Sequence, residues 1–80
     1  MSSNLEKYKD AFKNALSVEE KKINDNLKYN EVPEWDSIGH LTLMSALEEV
    51  FKISIDTDDV IDFSSYLKGK EILEKYKINF

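Results

Sequence analysis

Between Ser3 and Leu16 the apolar side chains recur every three or four positions. On a helical wheel Leu5, Tyr8, Phe12, Ala15 and Leu16 fall within an arc of ~100°, with Lys7, Asp10, Lys13 and Asn14 outside it. That spacing predicts an amphipathic helix over residues 3–16. The pattern then breaks. Ser17-x-x-Glu20 has the form of a capping box opening a short helix, whereas Asn24-Asp25-Asn26 and Asn30 favour turns. Val18, Ile23, Leu27, Val32 and Trp35 are irregularly spaced, as anchors pinning a loop to a core are. The single proline, Pro33, biases Val32 towards extended geometry. Residues 17–36 are therefore read as a loop, and one this long in so small a domain points to function.

Helical periodicity returns at Asp36-Ser37 and lasts to Phe51. Leu43, Met44, Leu47, Val50 and Phe51 share an arc of ~120° centred on Leu47, which marks the core stripe. Ile38 and Leu41 project on the opposite side, among Ser45, Glu48 and Glu49. Ile53-Ser54-Ile55 is a short extended link. Thr57-Asp58-Asp59 can cap a brief helix over 57–62, with acids at the favourable N-terminal end. Ser64-Ser65 caps a last helix over 65–76, on which Tyr66, Ile72, Leu73 and Tyr76 share a face with Gly69, where a missing side chain permits close helix approach. The expected fold is all-α, one domain over residues 1–80. It is a small bundle of three longer helices plus one short one, with a long loop between the first and second.

Composition narrows the chemistry. The 80 residues contain no cysteine and one histidine, so disulfides, thiolate metal sites and a cysteine nucleophile are excluded and a zinc or iron site has almost no ligands. All eleven basic residues are lysine; without arginine and at a net charge of −5, the bidentate readers of phosphate and guanine are missing, which argues against nucleic acid. The charge is unevenly spread: residues 31–62 carry nine acids and Lys52 alone, a local balance of −8. Such a surface attracts a basic partner, although solubility alone also accounts for it. No apolar run approaches the ~20 residues of a membrane span, and Met-Ser-Ser-Asn-Leu-Glu-Lys lacks a signal peptide's apolar segment. A cytoplasmic monomer without membrane insertion is the expectation.

An autonomous active site is hard to find. Ser37 and His40 lie one helical turn apart with Asp36 adjacent, but a triad needs an oriented base and an oxyanion hole, and one helix turn does not converge that way. His40 reads better as a residue packed at the helix start. Asp56-Thr57-Asp58-Asp59-Val60-Ile61 begins like a calcium loop, yet Val60 stands at the fifth ligand position and Ile61 where the turn needs glycine. With only Gly39 and Gly69, no glycine-rich phosphate loop exists. Glu48 and Glu49 point apart on one helix. The chain is read as non-catalytic. What remains is Ser37, delivered by a long loop, followed by an acidic helix and flanked by Trp35 and Ile38.

In this setting the sequence resembles the acyl carrier proteins, whose mark is Asp-Ser-Leu at the start of the second helix. Here the tripeptide is Asp36-Ser37-Ile38. Downstream, Ala46-Leu47-Glu48-Glu49-Val50-Phe51 is similar to the family's Ala-Leu-Glu-Glu-x-Phe, Ile53-Ser54-Ile55 to its Ile-x-Ile, and Ser64-Ser65 stands where the family often opens its last helix. The resemblance spans about residues 5–76. It implies that Ser37 receives 4′-phosphopantetheine from coenzyme A, with Asp36 part of the motif read by a phosphopantetheinyl transferase (a holo carrier synthase). It further implies that an acyl- or aminoacyl-activating ligase loads the arm and that downstream acyl-transferring enzymes unload it. The family's common glycine two residues before the aspartate is Glu34 here, and an acid often found five residues after the serine is Thr42. Those differences point to a discrete carrier of an accessory pathway. The expected partner face comprises Ile38, Leu41, Glu48 and Glu49 on the second helix, with Asp56, Asp58 and Asp59 on the next turn.

Two other classes stand beside the carrier. In one, the chain is an unmodified helical adapter whose acidic second helix binds a basic partner directly. In the other, it is a small hydrolase using Ser37 and His40. Turnover by the pure chain distinguishes the hydrolase; binding that survives without a prosthetic group distinguishes the adapter.

Overall fold

The computed structural model describes residues 3–80, and it is all-helical: α1 spans Asn4–Leu16, α2 Ser37–Phe51, α3 Thr57–Asp62 and α4 Tyr66–Glu74. Three of these four helices start from a side-chain cap. The Ser3 hydroxyl accepts the Glu6 amide at 3.1 Å and starts α1. Asp36 does the same for Gly39 at 2.8 Å, and Ser65 for Lys68 at 2.9 Å. The C-terminal ends of α1 and α2 are turned by Ser17 and Lys52, both in the left-handed region at φ 55°. Ser17 is therefore a stop signal rather than the expected capping box: the following turn, a 3-10 helix over Glu20–Lys22, is preceded by Glu19 with no side-chain cap. Similarly, α3 starts from Asp56 without a side-chain cap, and α4 ends at Glu74, two residues short of the periodicity, where turn bonds take over.

Aromatic rings occupy the middle of a mainly aliphatic core. Phe12 of α1 sits at its centre, with ring centroids 5.0 Å from Tyr8, 5.2 Å from Trp35 and 5.0 Å from Tyr66. Leu43 and Leu47 from α2 and Leu73 from α4 are fully buried around them. The wheel of α1 is rotated slightly from expectation, because Ala11 is buried and Leu5 is partly exposed; on α2, Val50 likewise reaches solvent, while Phe51 beside it packs against the core. Gly69 is where α4 crosses its neighbours closely. A Cβ there would stand 2.1 Å from the Tyr8 hydroxyl and 2.2 Å from Phe63 Cζ, so no side chain fits without displacing both rings. The Tyr8 hydroxyl itself donates to the Tyr66 carbonyl at 2.6 Å. Tyr66's own hydroxyl is buried and, among the described residues, finds no partner. Burial, followed by the charge of Asp25, pushes it up to about 12.

The long loop is anchored as its irregular apolar residues suggest: Val18, Ile23, Leu27 and Trp35 are all buried. Its middle is also held by backbone. Tyr66 donates to the Leu27 carbonyl and Tyr29 to the Ser64 carbonyl, each at 2.9 Å, around an isolated antiparallel bridge between Lys28 and Ser65. Among the described residues no helix is long and apolar enough to cross a membrane.

Candidate functional site

Ser37 is the first residue of α2 and is exposed. Its presentation depends on residues 30–40 around it. Trp35 is wholly buried and fixes the end of the loop. Its amide donates to the Val32 carbonyl at 3.1 Å, its carbonyl accepts the Asn30 amide at 3.0 Å, and Asn30 adopts φ 69° to close that turn. Asp36 then caps the helix, so its carboxylate is spent on the Gly39 amide. By position, the amides of Ser37 and Ile38 have no intrahelical acceptor. Gly39 is required on steric grounds: a Cβ would stand 2.1 Å from the Glu34 carbonyl oxygen and 3.1 Å from Leu16 Cδ2. The loop crosses the first turn of α2 at a spacing that only glycine permits.

His40 locks this arrangement to α3. The Trp35 indole nitrogen donates to His40 Nδ1 at 2.9 Å, and His40 Nε2 donates to the Val60 carbonyl at 2.8 Å. These two bonds select the neutral tautomer with its proton on Nε2. Neither ring nitrogen is directed to Ser37. The Ser37 hydroxyl instead shares a hydrogen bond of 3.2 Å with the hydroxyl of Tyr29. Tyr29, His40, Val60, Ile61, Phe63 and Ser64 line an open, mainly apolar cavity of about 260 Å³, connected to the serine through the Tyr29 hydroxyl.

The residues expected to form a partner face separate into two groups. Ile38 (77% exposed) and Leu41 (62%) stand out from α2, and Glu49, Asp56 and Asp58 are exposed. Ile61, 73% exposed on α3, joins them as an apolar side chain that the wheel of so short a helix did not single out. Glu48 is half-buried and its Oε2 accepts the Ile55 amide at 2.8 Å, so it holds the 53–55 link to α2. Asp59 does not belong to the face. It is 6% exposed, turned inward, and bonded to the Lys75 ammonium and the Tyr76 hydroxyl. The Lys75 bond, then the Tyr76 bond, hold its carboxyl below the usual carboxylate range, against an opposing push from burial.

Two residues of the site are not marked by pattern: Tyr29 has no periodic or motif context, and Gly39 carries no signal as one of two glycines. For Gly39 the signal lies in its register, because a glycine three residues after an Asp cap is where the capped amide lies.

The arrangement offers an exposed hydroxyl at a helix N-terminus, a phenol beside it that also walls an apolar cavity, and, among the described residues, no base bonded to it. No protein-family model matches the chain, and no curated protein matches it in sequence.

Proposed function

We propose that the protein is a carrier, modified on Ser37 with 4′-phosphopantetheine and delivering acyl or aminoacyl groups between partner enzymes. The observation that carries this reading is the placement of Ser37: an exposed hydroxyl on the first turn of α2, inside Asp36-Ser37-Ile38, with its cap supplied by Asp36 rather than by the serine itself. The donor set fits a phosphodiester at this oxygen. The amides of Ser37 and Ile38 are free of intrahelical acceptors, the helix dipole favours an anion there, and Tyr29 adds a hydroxyl at 3.2 Å. With His40 occupied by Trp35 and Val60, activation of Ser37 falls to a separate transferase, which also supplies magnesium and coenzyme A. When bound, the arm supplies the thiol for thioester chemistry that this cysteine-free chain lacks.

The remaining chain serves recognition. Ile38 and Leu41 offer short-range apolar contact, while Glu49, Asp56 and Asp58 attract a lysine- and arginine-lined surface. Transferase, loading ligase and acyl-transferring enzymes would approach from this side.

The test is intact-mass measurement after incubation with coenzyme A and a promiscuous phosphopantetheinyl transferase. Wild type should gain one phosphopantetheine unit and Ser37→Ala none. Because Asp36 is the cap, Ser37→Ala should change stability by no more than about 0.5 kcal/mol. Modification of the variant, or none of wild type, overturns the carrier. In the latter case the exposed apolar and acidic side chains of α2 favour the unmodified adapter.

A further inference from the structure

Tyr29 connects three parts of the site. Its backbone is fixed to the start of α4 through the Ser64 carbonyl. Its ring stands edge-on to Trp35 (centroids 6.1 Å, 82°) and to His40 (5.4 Å, 77°). Its hydroxyl meets Ser37 Oγ, and its ring forms one wall of the cavity it shares with His40, Val60, Ile61, Phe63 and Ser64. The residue is 38% exposed. Water could therefore satisfy the hydroxyl, and the core does not need this bond.

Consider what esterification of Ser37 changes. The serine oxygen loses its proton and bonds to phosphorus as the pyrophosphate bond of coenzyme A breaks and adenosine 3′,5′-bisphosphate leaves. The anionic oxygens of the new phosphodiester then stand two bonds from Oγ, beside the phenol. An O–H donor facing an anionic oxygen makes a shorter bond, roughly twice as strong as a neutral one. The ring is already held by two aromatic edges and a backbone anchor, so little rotamer freedom is lost in making it. No lysine lines the cavity that Tyr29 borders.

We propose that Tyr29 is the positioning residue for the group carried on Ser37: its hydroxyl donates to a non-bridging phosphodiester oxygen and directs the first segment of the arm across the cavity towards Ile61, away from the exposed side of α2. This deepens the carrier reading and rests on it. The arm then starts on the side of α3, leaving Ile38 and Leu41 uncovered for an approaching enzyme.

The experiment compares wild type and Tyr29→Phe after modification with unlabelled coenzyme A, each chain carrying ¹³C-labelled methyl groups. The readouts are the ³¹P resonance of the phosphodiester and nuclear Overhauser contacts from the arm's geminal methyl groups to Val60 and Ile61. Wild type should show those contacts; Tyr29→Phe, which keeps the ring and loses only the hydroxyl, should shift the ³¹P resonance and lose them. Should the variant fold poorly, the hydroxyl proton of Tyr29 in wild type decides: a downfield shift on modification supports its bond to the phosphodiester, and an unchanged resonance refutes it. Coincident ³¹P resonances with contacts retained in both proteins would remove Tyr29 from the role while the carrier stands. A wild type that accepts no group overturns both.

Discussion

Trp35 and His40 lie nearly parallel, ring centroids 6.1 Å apart at 22°, and are joined by a hydrogen bond from the indole nitrogen to Nδ1. Through that bond, and through His40 Nε2 to Val60, the last buried residue of the loop is coupled to α3 across the first turn of α2. His40→Phe would preserve the stacking and strand the buried indole N–H, at a cost of about 1–3 kcal/mol. Urea unfolding gives the magnitude. Trp35 is the only tryptophan, so its indole proton reports the broken bond directly. An unchanged indole resonance would show that the bond does not form.

The two faces of α2 should respond differently to truncation. Leu47 is fully buried, and Leu47→Ala should cost about 2–5 kcal/mol through lost contacts and a residual cavity. Leu41→Ala, at an exposed position, should fall within about 0.5 kcal/mol of wild type. Equal losses of melting temperature would contradict the burial.

Tyr66→Phe tests the unpartnered hydroxyl. Deleting a buried polar atom that makes no hydrogen bond removes a desolvation cost and little else. The variant should be as stable as wild type or more stable, and its denaturation midpoint should not fall. A clear fall would reveal a partner for the hydroxyl in solution.

Asp59 and Lys75 give stability a pH dependence with a definite sign. Asp59's carboxyl is lowered by Lys75 and Tyr76, so its contribution is complete above the unfolded value of ~3.9 and is lost as pH falls through the lower folded value. Lys75 is raised, chiefly by its bond to Asp59. Its share is complete below the unfolded value of ~10.4 and is lost as pH rises through the raised one. The gap in urea midpoint between wild type and Asp59→Asn should therefore stay level from about pH 5 to pH 9 and narrow in strong acid. Parallel curves throughout would assign the gap to packing alone.

Recognition by charge is best probed away from Glu48, because reversing a residue that holds the Ile55 amide would also disturb the 53–55 link. Glu49→Lys combined with Asp58→Lys changes exposed charges only. Modification of Ser37 by a transferase should slow in this variant. In wild type it should slow with salt as screening shortens from ~10 Å at 0.1 M. Indifference to both would return the acidic middle segment to a role in solubility.

These residues also show what periodicity can and cannot reveal. Leu47 and Leu41 were separable because α2 packs against the core along one side, and a wheel encodes one-sided packing well. Val50 and Leu5 departed from it, both near helix ends and at the edge of the predicted arc, partly open to solvent. Asp59 looked like a surface acid because its partners lie sixteen and seventeen residues later, a separation on which local pattern is silent. Tyr29 was hidden for a similar reason: its proximity to Ser37 arises from how the loop folds back, and no repeat in the chain marks it.

The pairing of residues 27–29 with 64–66 bears on the order in which the molecule can assemble. Those backbone bonds close a long stretch of chain containing the whole of α2 and α3, and such contacts form only after the entropy of closure has been overcome. The cap that starts α2 needs no such closure, because Asp36 makes it with the Gly39 amide three residues on. The two sides of the serine therefore differ in origin: its cap is local, whereas Tyr29 beside it depends on contacts far along the chain, and the complete neighbourhood reports a finished fold. A chain emerging during synthesis would expose the Asp36-Ser37-Ile38 segment early, yet acquire its surroundings only once residues 64–66 are present.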